Sequence, residues 1–225
     1  MKGEFQADLV YLTTAEDNRQ QMIIPFDTLS PNKVYLTMIQ TLLPRPVAWV
    51  LSENPDKSLN LAPFSYFNAI CSDPPLIMIS IGVKPDGKAK DSRLNIEASK
   101  DFVIHIAHRE MAALVTQTSA SLPRNESELE KAGLQTCEFP GSRLPRLTDC
   151  RIAYACKLYE LREIGNAPQA LVLGEVTQVY IDDSVIEYDI KGCIQVMAEK
   201  VDPIARLGGG EYSTFGEKLN IPRPQ

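Results

Sequence analysis

Short apolar runs, separated by turn residues, follow one another through most of this chain. Runs of four to eight apolar or alternating positions bounded by Gly, Pro, Asn and Asp are typical of β-strands. The polar segment Glu53 to Ser58 would join the first two runs as a hairpin, and Gly165 to Pro168 would turn between the last two. We expect strands near Val47 to Ser52, Leu59 to Ser65, Leu76 to Ile81, Phe102 to Ala107, Arg151 to Glu163 and Ala170 to Asp182.

Helix signals are fewer and lie between the strands. Ser30 followed by Pro31 is an N-cap with proline at the first helical position, and Pro44 would stop that helix. Asn125 and Glu128 have the spacing of a capping box, with Gly133 at the following C-terminal stop. We expect helices from Pro31 to about Leu43, from a cap at Asp91 or Ser92 to about Ser99, and as a helical hairpin from Arg109 to Ala132.

This order of elements favours an antiparallel barrel with peripheral helices. Hairpin-linked strands without a repeating strand-helix alternation argue against a doubly wound nucleotide fold. The glycines Gly208 to Gly210 follow no strand-helix junction, so a dinucleotide-binding loop is not expected there. Since neither a repeat nor a linker divides the sequence, we expect one domain over residues 1–225.

Composition and charge exclude several classes of function. The chain has 225 residues, 44% of them hydrophobic, and a net charge of -6. An acidic protein repels an extended phosphate backbone, so we expect no nucleic-acid binding. No apolar run reaches the roughly 18 residues of a membrane span, and the first residues, MKGE, do not open a signal peptide. We expect a cytoplasmic protein that does not associate with membranes.

Cysteine and histidine give no sign of a metal site or a catalytic triad. The five cysteines have no CxxC spacing and are expected to be free, mostly buried thiols. His105 and His108 would face opposite sides of one strand, so they could not chelate a metal together. We expect His105 to pack or to make a hydrogen bond. No residue is assigned as a catalytic acid or base.

Two segments close together in the sequence do not read as ordinary core. PRPVAWV runs from Pro44 to Val50, and NLAPFSYFNAI runs from Asn60 to Ile70. Pro63 demotes its strand to a sheet edge or forces a bulge, and aromatic, hydroxyl and amide side chains surround it. Aromatic faces with a few polar groups and broken ladder pairing suit a planar, amphipathic ligand.

These segments, together with KDSRLNI, LVLGEV and RLGGGEY further on, resemble the flavin-reductase-like FMN-binding split-barrel family, in the branch that includes the flavoredoxins. The resemblance runs from about Leu36 to the C-terminus, so residues 1–30 are an N-terminal extension of unknown role. It implies a mainly β fold, an antiparallel Greek-key split β-barrel with peripheral α-helices. It also implies an FMN cofactor and a homodimer with sites near the subunit interface.

Each part of FMN needs a particular kind of side chain, and these segments offer candidates for each. Arg45 offers a fork for the phosphate, and Lys90, Ser92 and the helix amides beside them form an anion site, to which Ser65 adds a hydroxyl. An ordinary capped helix with a solvated lysine is the alternative, as solvated loop charges are for Lys84 and Lys88. The aromatics could equally be barrel core. The candidate cofactor-binding residues are Arg45, Ala48, Trp49, Val50, Asn60, Ala62, Pro63, Phe64, Ser65, Asn68, Ser80, Lys90, Asp91, Ser92, Asn95, Arg206 and Tyr212.

The function that the resemblance implies is an FMN-dependent oxidoreductase. We interpret it as an NAD(P)H:flavin reductase that moves hydride from nicotinamide to flavin, with an oxygenase or redox protein as a possible partner. A flavoredoxin-like electron carrier without NAD(P)H activity is a second reading. A non-catalytic flavin-binding module is a third. Turnover of NADH or NADPH separates the first from the other two.

Overall fold

The computed structural model describes residues 10–12, 21–123, 126–166, 169–222 and 224, and the chain divides into two compact units, residues 1–42 and 43–225. The first unit holds the antiparallel strands β1 (Val10–Leu12) and β2 (Gln21–Ile23) and the helix α1 (Pro31–Thr41). As predicted, the Ser30 hydroxyl caps α1 by accepting a hydrogen bond from the Lys33 N–H at 3.4 Å. The single-domain assignment stays a prediction.

The second unit carries the other strands and helices. Its strands are β3 (Arg45–Pro46), β4 (Ala48–Glu53), β5 (Leu59–Phe64), β6 (Phe67–Ser72), β7 (Pro75–Ile81), β8 (Asp101–Ile106), β9 (Thr136–Cys137), β10 (Arg146–Leu147), β11 (Ile152–Ile164), β12 (Gln169–Ile181), β13 (Ile186–Tyr188), β14 (Ile194–Val196), β15 (Ala205–Arg206) and β16 (Tyr212–Ser213). Its helices are α2 (Asp91–Ser99), α3 (Ala112–Gln117), α4 (Glu128–Lys131) and α5 (Ala198–Val201).

One antiparallel sheet of seven strands dominates this unit, in the order β5-β4-β8-β11-β12-β7-β6. The two edge strands, β5 and β6, are consecutive in the chain and are joined only by Ser65 and Tyr66. A link this short spans roughly 10 Å, so the sheet must curl until its edges meet. Because β5 and β6 do not pair, the resulting barrel is split along that line. The predicted mainly β barrel with peripheral helices is confirmed.

Small antiparallel sheets lie beside the barrel. β3 pairs with β15, which pairs with β16, so that the Arg45 segment joins the segment from Ala205 to Ser213. β9 pairs with β10, and β13 pairs with β14. The β3-β15-β16 sheet brings distant parts of the sequence to the start of β4.

Two apolar cores lie on the two faces of the curled sheet. One contains Ala48 and Val50 of β4, Ile79 of β7, Ile104 of β8 and Val172 of β12. The other contains alternate residues of β4 and β8, packed beneath the segment that runs from residue 107 to residue 150. Because both faces of β4 are covered, that strand reads as a continuous apolar run rather than an alternation.

The predicted strands are confirmed with bounds that shift by at most one residue, and two helix predictions need correction. The helical hairpin over residues 109–132 is wrong, since the described residues of that range form a 3₁₀ turn (Arg109–Met111) and the short helices α3 and α4, and residues 118–123 are turn and irregular chain. Ser127, not Asn125, caps α4, and Asn125 lies outside the described residues, as do residues 167–168 of the predicted turn. Strand β6 was not predicted from the sequence.

His105 ties the covering segment to the sheet. Its Nδ1 lies 3.1 Å from the Trp49 carbonyl oxygen, and the Leu147 N–H donates to its Nε2 at 2.9 Å. The ring must therefore be neutral, with its proton on Nδ1. Full burial lowers the pKa of His105 to about 4. The expected hydrogen-bonding role is confirmed, and His108 lies beyond the end of β8 with its Nε2 3.3 Å from Glu110.

Trp49 holds the chain that follows α3. Its indole N–H donates to the Thr118 hydroxyl oxygen at 2.8 Å, and both side chains are buried. The same hydroxyl donates to the Val115 carbonyl at 3.1 Å, so its proton and one lone pair are both used. This bond fixes the start of the 118–122 loop against β4.

All five cysteines are free thiols, as expected, but their burial is mixed. Cys150 and Cys156 are buried, and burial raises the pKa of the Cys150 thiol to about 12. Cys71 and Cys193 are exposed, so the expectation of burial is wrong for those two. Within the described ranges, the helices are too short or too polar to cross a bilayer.

Replacing His105 with glutamine is expected to flatten the acid end of the stability profile. In the parent, the folded pKa of about 4 lies below the ordinary histidine value of 6.5, so the unfolded chain binds more protons between these values. Stability should therefore fall as the pH drops from about 6.5 to 4, by on the order of 3 kcal/mol from this residue alone. Urea unfolding at several pH values measures the slope, and an unchanged slope in His105→Gln would contradict the assignment.

Replacing Thr118 with valine is expected to destabilise the fold by about 1–3 kcal/mol, because the buried indole N–H of Trp49 loses its acceptor. Valine keeps the shape of threonine, so the loss reports the hydrogen bond. Thr118→Ser retains the hydroxyl and should cost much less. In a Trp49→Phe background, Thr118→Val should lose most of its effect in denaturant titrations, and full additivity would show that the bond is not the cause.

Candidate functional site

Two adjoining pockets open beside the split of the barrel, and together we call them the cleft. They share Pro63 and Ser119, and they hold about 410 and 490 Å³ of space open to solvent. The first is lined by Val47, Pro63, Phe64, Ser65, Thr116, Ser119, Arg206 and Tyr212. The second is lined by Asn60, Ala62, Pro63, Lys84, Lys90, Asp91, Ser92, residues 118–122 and Glu128.

The open edge of β5 forms the floor between the two pockets. At this edge Ser127 donates its hydroxyl proton to the Leu59 carbonyl, and the Leu61 N–H donates to Glu128 Oε2 at 3.2 Å. The backbone groups of alternate residues therefore point away from β4. Pro63 is the next residue in that series, and it has no N–H to leave unpaired at the edge. Its carbonyl remains as an acceptor there.

Helix α2 begins at the second pocket. Lys90 occupies the N-cap position and offers its first-turn amides no side-chain acceptor. Asp91 is the first helical residue, so the predicted cap at Asp91 or Ser92 is one or two residues late. The Asp91 carboxylate pairs instead with Lys84 Nζ at 2.7 Å. Lys84 is therefore part of the pocket wall, while Lys88 is 80% exposed and pairs with Asp86, as a solvated loop charge does.

The Lys90 ammonium is the distinctive charge of the second pocket. Its Nζ lies 5.4 Å from the centre of the Phe64 ring. Burial lowers the pKa of Lys90, because the surrounding protein replaces water around the charge. Among the residues that the structure describes, no carboxylate comes within 4.0 Å to form an ion pair with it. A half-buried cation in this setting favours an anionic ligand.

A buried polar network supports the pocket from below. Asn60 Nδ2 donates to the Ser92 hydroxyl at 2.9 Å and to the Ser52 hydroxyl at 3.3 Å. Asn95 Nδ2 donates to Ser52 at 3.2 Å and to Asn54 Oδ1 at 2.8 Å. Because the Ser92 oxygen accepts from Asn60, its own proton can be donated towards the pocket. Asn95 lies one layer deeper and does not line the cleft.

At the first pocket, Arg206 lies over Tyr212. The guanidinium carbon is 4.6 Å from the ring centre, and Arg206 Nη2 donates to the Gly209 carbonyl at 2.7 Å. The Thr116 hydroxyl bonds to the Tyr212 hydroxyl at 3.1 Å, which fixes the far end of the ring. Arg45 stands opposite Arg206 in the β3-β15 pair and donates to the Leu207 carbonyl at 3.0 Å, but it lines neither pocket.

The other predicted residues lie away from the cleft walls. Ala48, Trp49 and Val50 are completely buried in the two cores. For Trp49, this agrees with the alternative that the aromatic residues are barrel core. Asn68 is exposed on β6, where its Oδ1 accepts from the Ala69 N–H. The Ser80 hydroxyl on β7 accepts from Gln169 Nε2 at 2.9 Å. The structure brings together Asn60, Ala62, Pro63, Phe64, Ser65, Lys90, Asp91, Ser92, Arg206 and Tyr212.

Sequence reasoning missed one wall of the cleft. The predicted helical hairpin includes Thr116, the 118–122 loop and Glu128, which have no predicted role, yet these residues line the cleft. The run TQTSAS, residues 116–121, is rich in short hydroxyl residues, which favour turns over helix interiors. That signal was available, whereas the approach of Glu128 to β5 is a tertiary contact with no local signal.

The cleft can hold a ligand with unlike ends. Its second pocket combines a lysine, an inward hydroxyl and the amides of a nine-residue helix, all of which stabilise an anion. Its first pocket offers the flat surfaces of Phe64 and Tyr212, a guanidinium and a strand-edge carbonyl. This arrangement fits a molecule that carries a phosphate at one end and a planar ring with hydrogen-bonding edges at the other.

Comparison with known proteins identifies relatives in sequence and in fold. The chain is 34% identical over 202 residues to an uncharacterised protein of Halalkalibacterium halodurans, covering 88% of this chain and 94% of that one. The crystal structure of nitrilotriacetate monooxygenase component B from Bacillus cereus superposes with a TM-score of 0.82 at 32% identity, covering 89% of this chain and 98% of that one. The 2-nitrobenzoate 2-nitroreductase NbaA of Pseudomonas fluorescens gives a TM-score of 0.79 at 27% identity, with 90% and 96% covered.

A model of one protein family matches most of the barrel unit and all the cleft-lining residues except Tyr212. It is described as the flavin reductase like domain, and it matches residues 40–210. That span includes β5, the start of α2 and Arg206, and it leaves residues 1–39 outside. The chain therefore belongs to the flavin reductase-like domain family, a family of flavin-dependent oxidoreductases.

Proposed function

We propose that this protein is an FMN-dependent oxidoreductase of the flavin reductase type, which uses NAD(P)H as its electron donor. The observation that carries the proposal is the Lys90 ammonium, half-buried beside the uncapped start of α2 at one end of a cleft that is aromatic at the other. Family membership supplies the flavin, and the charge supplies the choice of a flavin that ends in a phosphate.

The phosphate would lie in the second pocket. Lys90, the Ser92 hydroxyl and the first amides of α2 each offer a donor or a positive charge. Asn60 fixes the Ser92 oxygen from behind, so the serine rotamer is set before a ligand arrives. A preorganised donor of this kind loses little freedom on binding.

The flavin ring would lie against the first pocket, with the ribityl chain passing Pro63 and Ser119. Phe64 and Tyr212 offer flat surfaces, and the Arg206 guanidinium and the Pro63 carbonyl offer a donor and an acceptor to the ring edge. Arg45 would act indirectly, since its bond to the Leu207 carbonyl holds the segment that carries Arg206. Ala48, Trp49 and Val50 would contribute through the backbone that leads into this wall.

Bound FMN supplies the redox chemistry by accepting hydride and passing electrons on. The chain's task is to hold the ring, orient the donor and keep one ring face accessible. No described residue is assigned as a general acid or base, because the network around His105 already uses both of its ring nitrogens.

Assembly and partners are part of the same proposal. We propose a homodimer whose interface lies near the cleft, and a cytoplasmic location. An oxygenase that receives reduced flavin is the favoured partner, because a structure similar to this chain is itself named as a monooxygenase component. Sedimentation of the FMN-loaded protein tests the dimer, for which a mass of twice 25.0 kDa is expected.

Addition of NADH or NADPH under anaerobic conditions is expected to bleach the visible absorbance of the FMN-loaded protein. Stopped-flow absorbance gives the rate for each nucleotide. If neither nucleotide bleaches the flavin but a reduced redox protein does, the electron-carrier alternative is correct. If neither the nucleotides nor the redox protein reduces the flavin, the non-catalytic binding module is correct.

Lys90→Ala is expected to weaken FMN binding at least about ten-fold, because a charged hydrogen bond contributes on the order of 1.5–3 kcal/mol. Riboflavin, which lacks the phosphate, should bind the variant and the parent alike. Lys88→Ala is the matched control, since Lys88 is exposed and two residues away. Fluorescence titration measures all three proteins, and an equal loss for both flavins in Lys90→Ala would contradict the phosphate position.

A further inference from the structure

Glu128 is a carboxylic acid in the wall of the pocket that we assign to a phosphate. Its side chain lines that pocket together with Lys90 and Ser92, and the residue is only 8% exposed. Its Oε2 accepts from the Leu61 N–H at 3.2 Å. Within the described part of the chain, no lysine or arginine forms an ion pair with it. A buried carboxylate beside an anion site is an unfavourable arrangement unless its charge is removed.

The cations near Glu128 do not neutralise its carboxylate. Lys84 and Asp91, from the loop and the start of α2, pair with each other at 2.7 Å. Among the described lining residues Lys90 is the remaining cation, and the 118–122 loop and the lining residues of β5 bear no charge. On the segment of Glu128 itself, Lys131 pairs with Glu126, and Glu130 is exposed. With Glu128 ionised, the described charged groups of the pocket wall sum to zero.

We propose that Glu128 takes up one proton from solvent when a phosphate enters this pocket, and that the resulting O–H donates to a phosphate oxygen. The inference rests on the proposed function, since it assumes a flavin phosphate in the second pocket. The Leu61 N–H holds Oε2, so the other carboxyl oxygen carries the proton. Protonation leaves Lys90 as the net charge of the described lining residues and turns a repulsive neighbour into a donor.

The electrostatics of the site favour this exchange. A phosphate monoester carries a charge of about -1.5 to -2 near neutral pH, and repulsion between like charges grows as water leaves the site. Burial already raises the pKa of Glu128. The free energy needed to protonate the carboxylate is therefore smaller than for an exposed glutamate, and the bound phosphate supplies the rest. The exchange makes Glu128 a specificity-determining residue: it couples affinity for a phosphorylated flavin to pH and leaves riboflavin unaffected.

Isothermal titration calorimetry of FMN near pH 8, in buffers that differ in ionisation enthalpy and contain no phosphate, counts the protons taken up. We expect about one proton per FMN for the parent and none for riboflavin. Glu128→Gln keeps an acceptor for the Leu61 N–H, and we expect it to take up no proton and to bind FMN about ten-fold tighter than the parent at this pH. Glu130→Gln, on the exposed side of the same short helix, should behave as the parent does.

Two results would overturn the inference while the proposed function stands. One is FMN binding by the parent with no proton uptake, which needs no variant and so does not depend on one folding. The other is undiminished uptake in Glu128→Gln, which would place the proton on the phosphate itself. If the parent binds riboflavin as tightly as FMN, the phosphate position in the proposed function fails, and the inference falls with it.

Discussion

The two-residue link between β5 and β6 is the constraint on which the barrel unit depends. Because Ser65 and Tyr66 join the two edges of a seven-stranded sheet, the sheet cannot lie open. Closure without pairing then leaves an exposed backbone edge on β5, which must be covered or used. The chain does both, since Ser127 and Glu128 cover one part of the edge and the cleft lies along the next. The cleft is thus a consequence of how the barrel closes.

The buried network and the proposed binding site share residues along this edge. Asn60 and Ser92 belong to a buried hydrogen-bond network that includes Ser52 on the neighbouring strand, and they also line the second pocket. Hydrogen bonds between buried polar groups are stronger than the same bonds in water. The same hydrogen bonds therefore join β4, β5 and α2 and also hold the Ser92 hydroxyl in place. A loop-borne serine would lack that support.

How much could be predicted from the sequence follows from the range of the interactions involved. Local apolar runs predict strands β4, β5, β11 and β12. A local motif at a helix start indicates Lys90 and Ser92. Arg45 has the right chemistry, but its pairing with β15 across more than 150 residues sets its direction, and no local pattern reveals that. Strand β6 was missed because five of its six residues are exposed and lack the apolar alternation.

Under the proposed function, structural and binding demands meet on the Glu128 side chain. The Leu61 N–H at the open edge of β5 needs an acceptor, and a carboxylate supplies one. Glutamine would satisfy the same N–H without bringing a charge near Lys90, so edge covering alone does not require an acid. In a chain of net charge -6, every further negative group near the cleft also opposes an anionic ligand. An ionisable acceptor at this position is therefore better explained by a need to change charge than by a need to cover the strand.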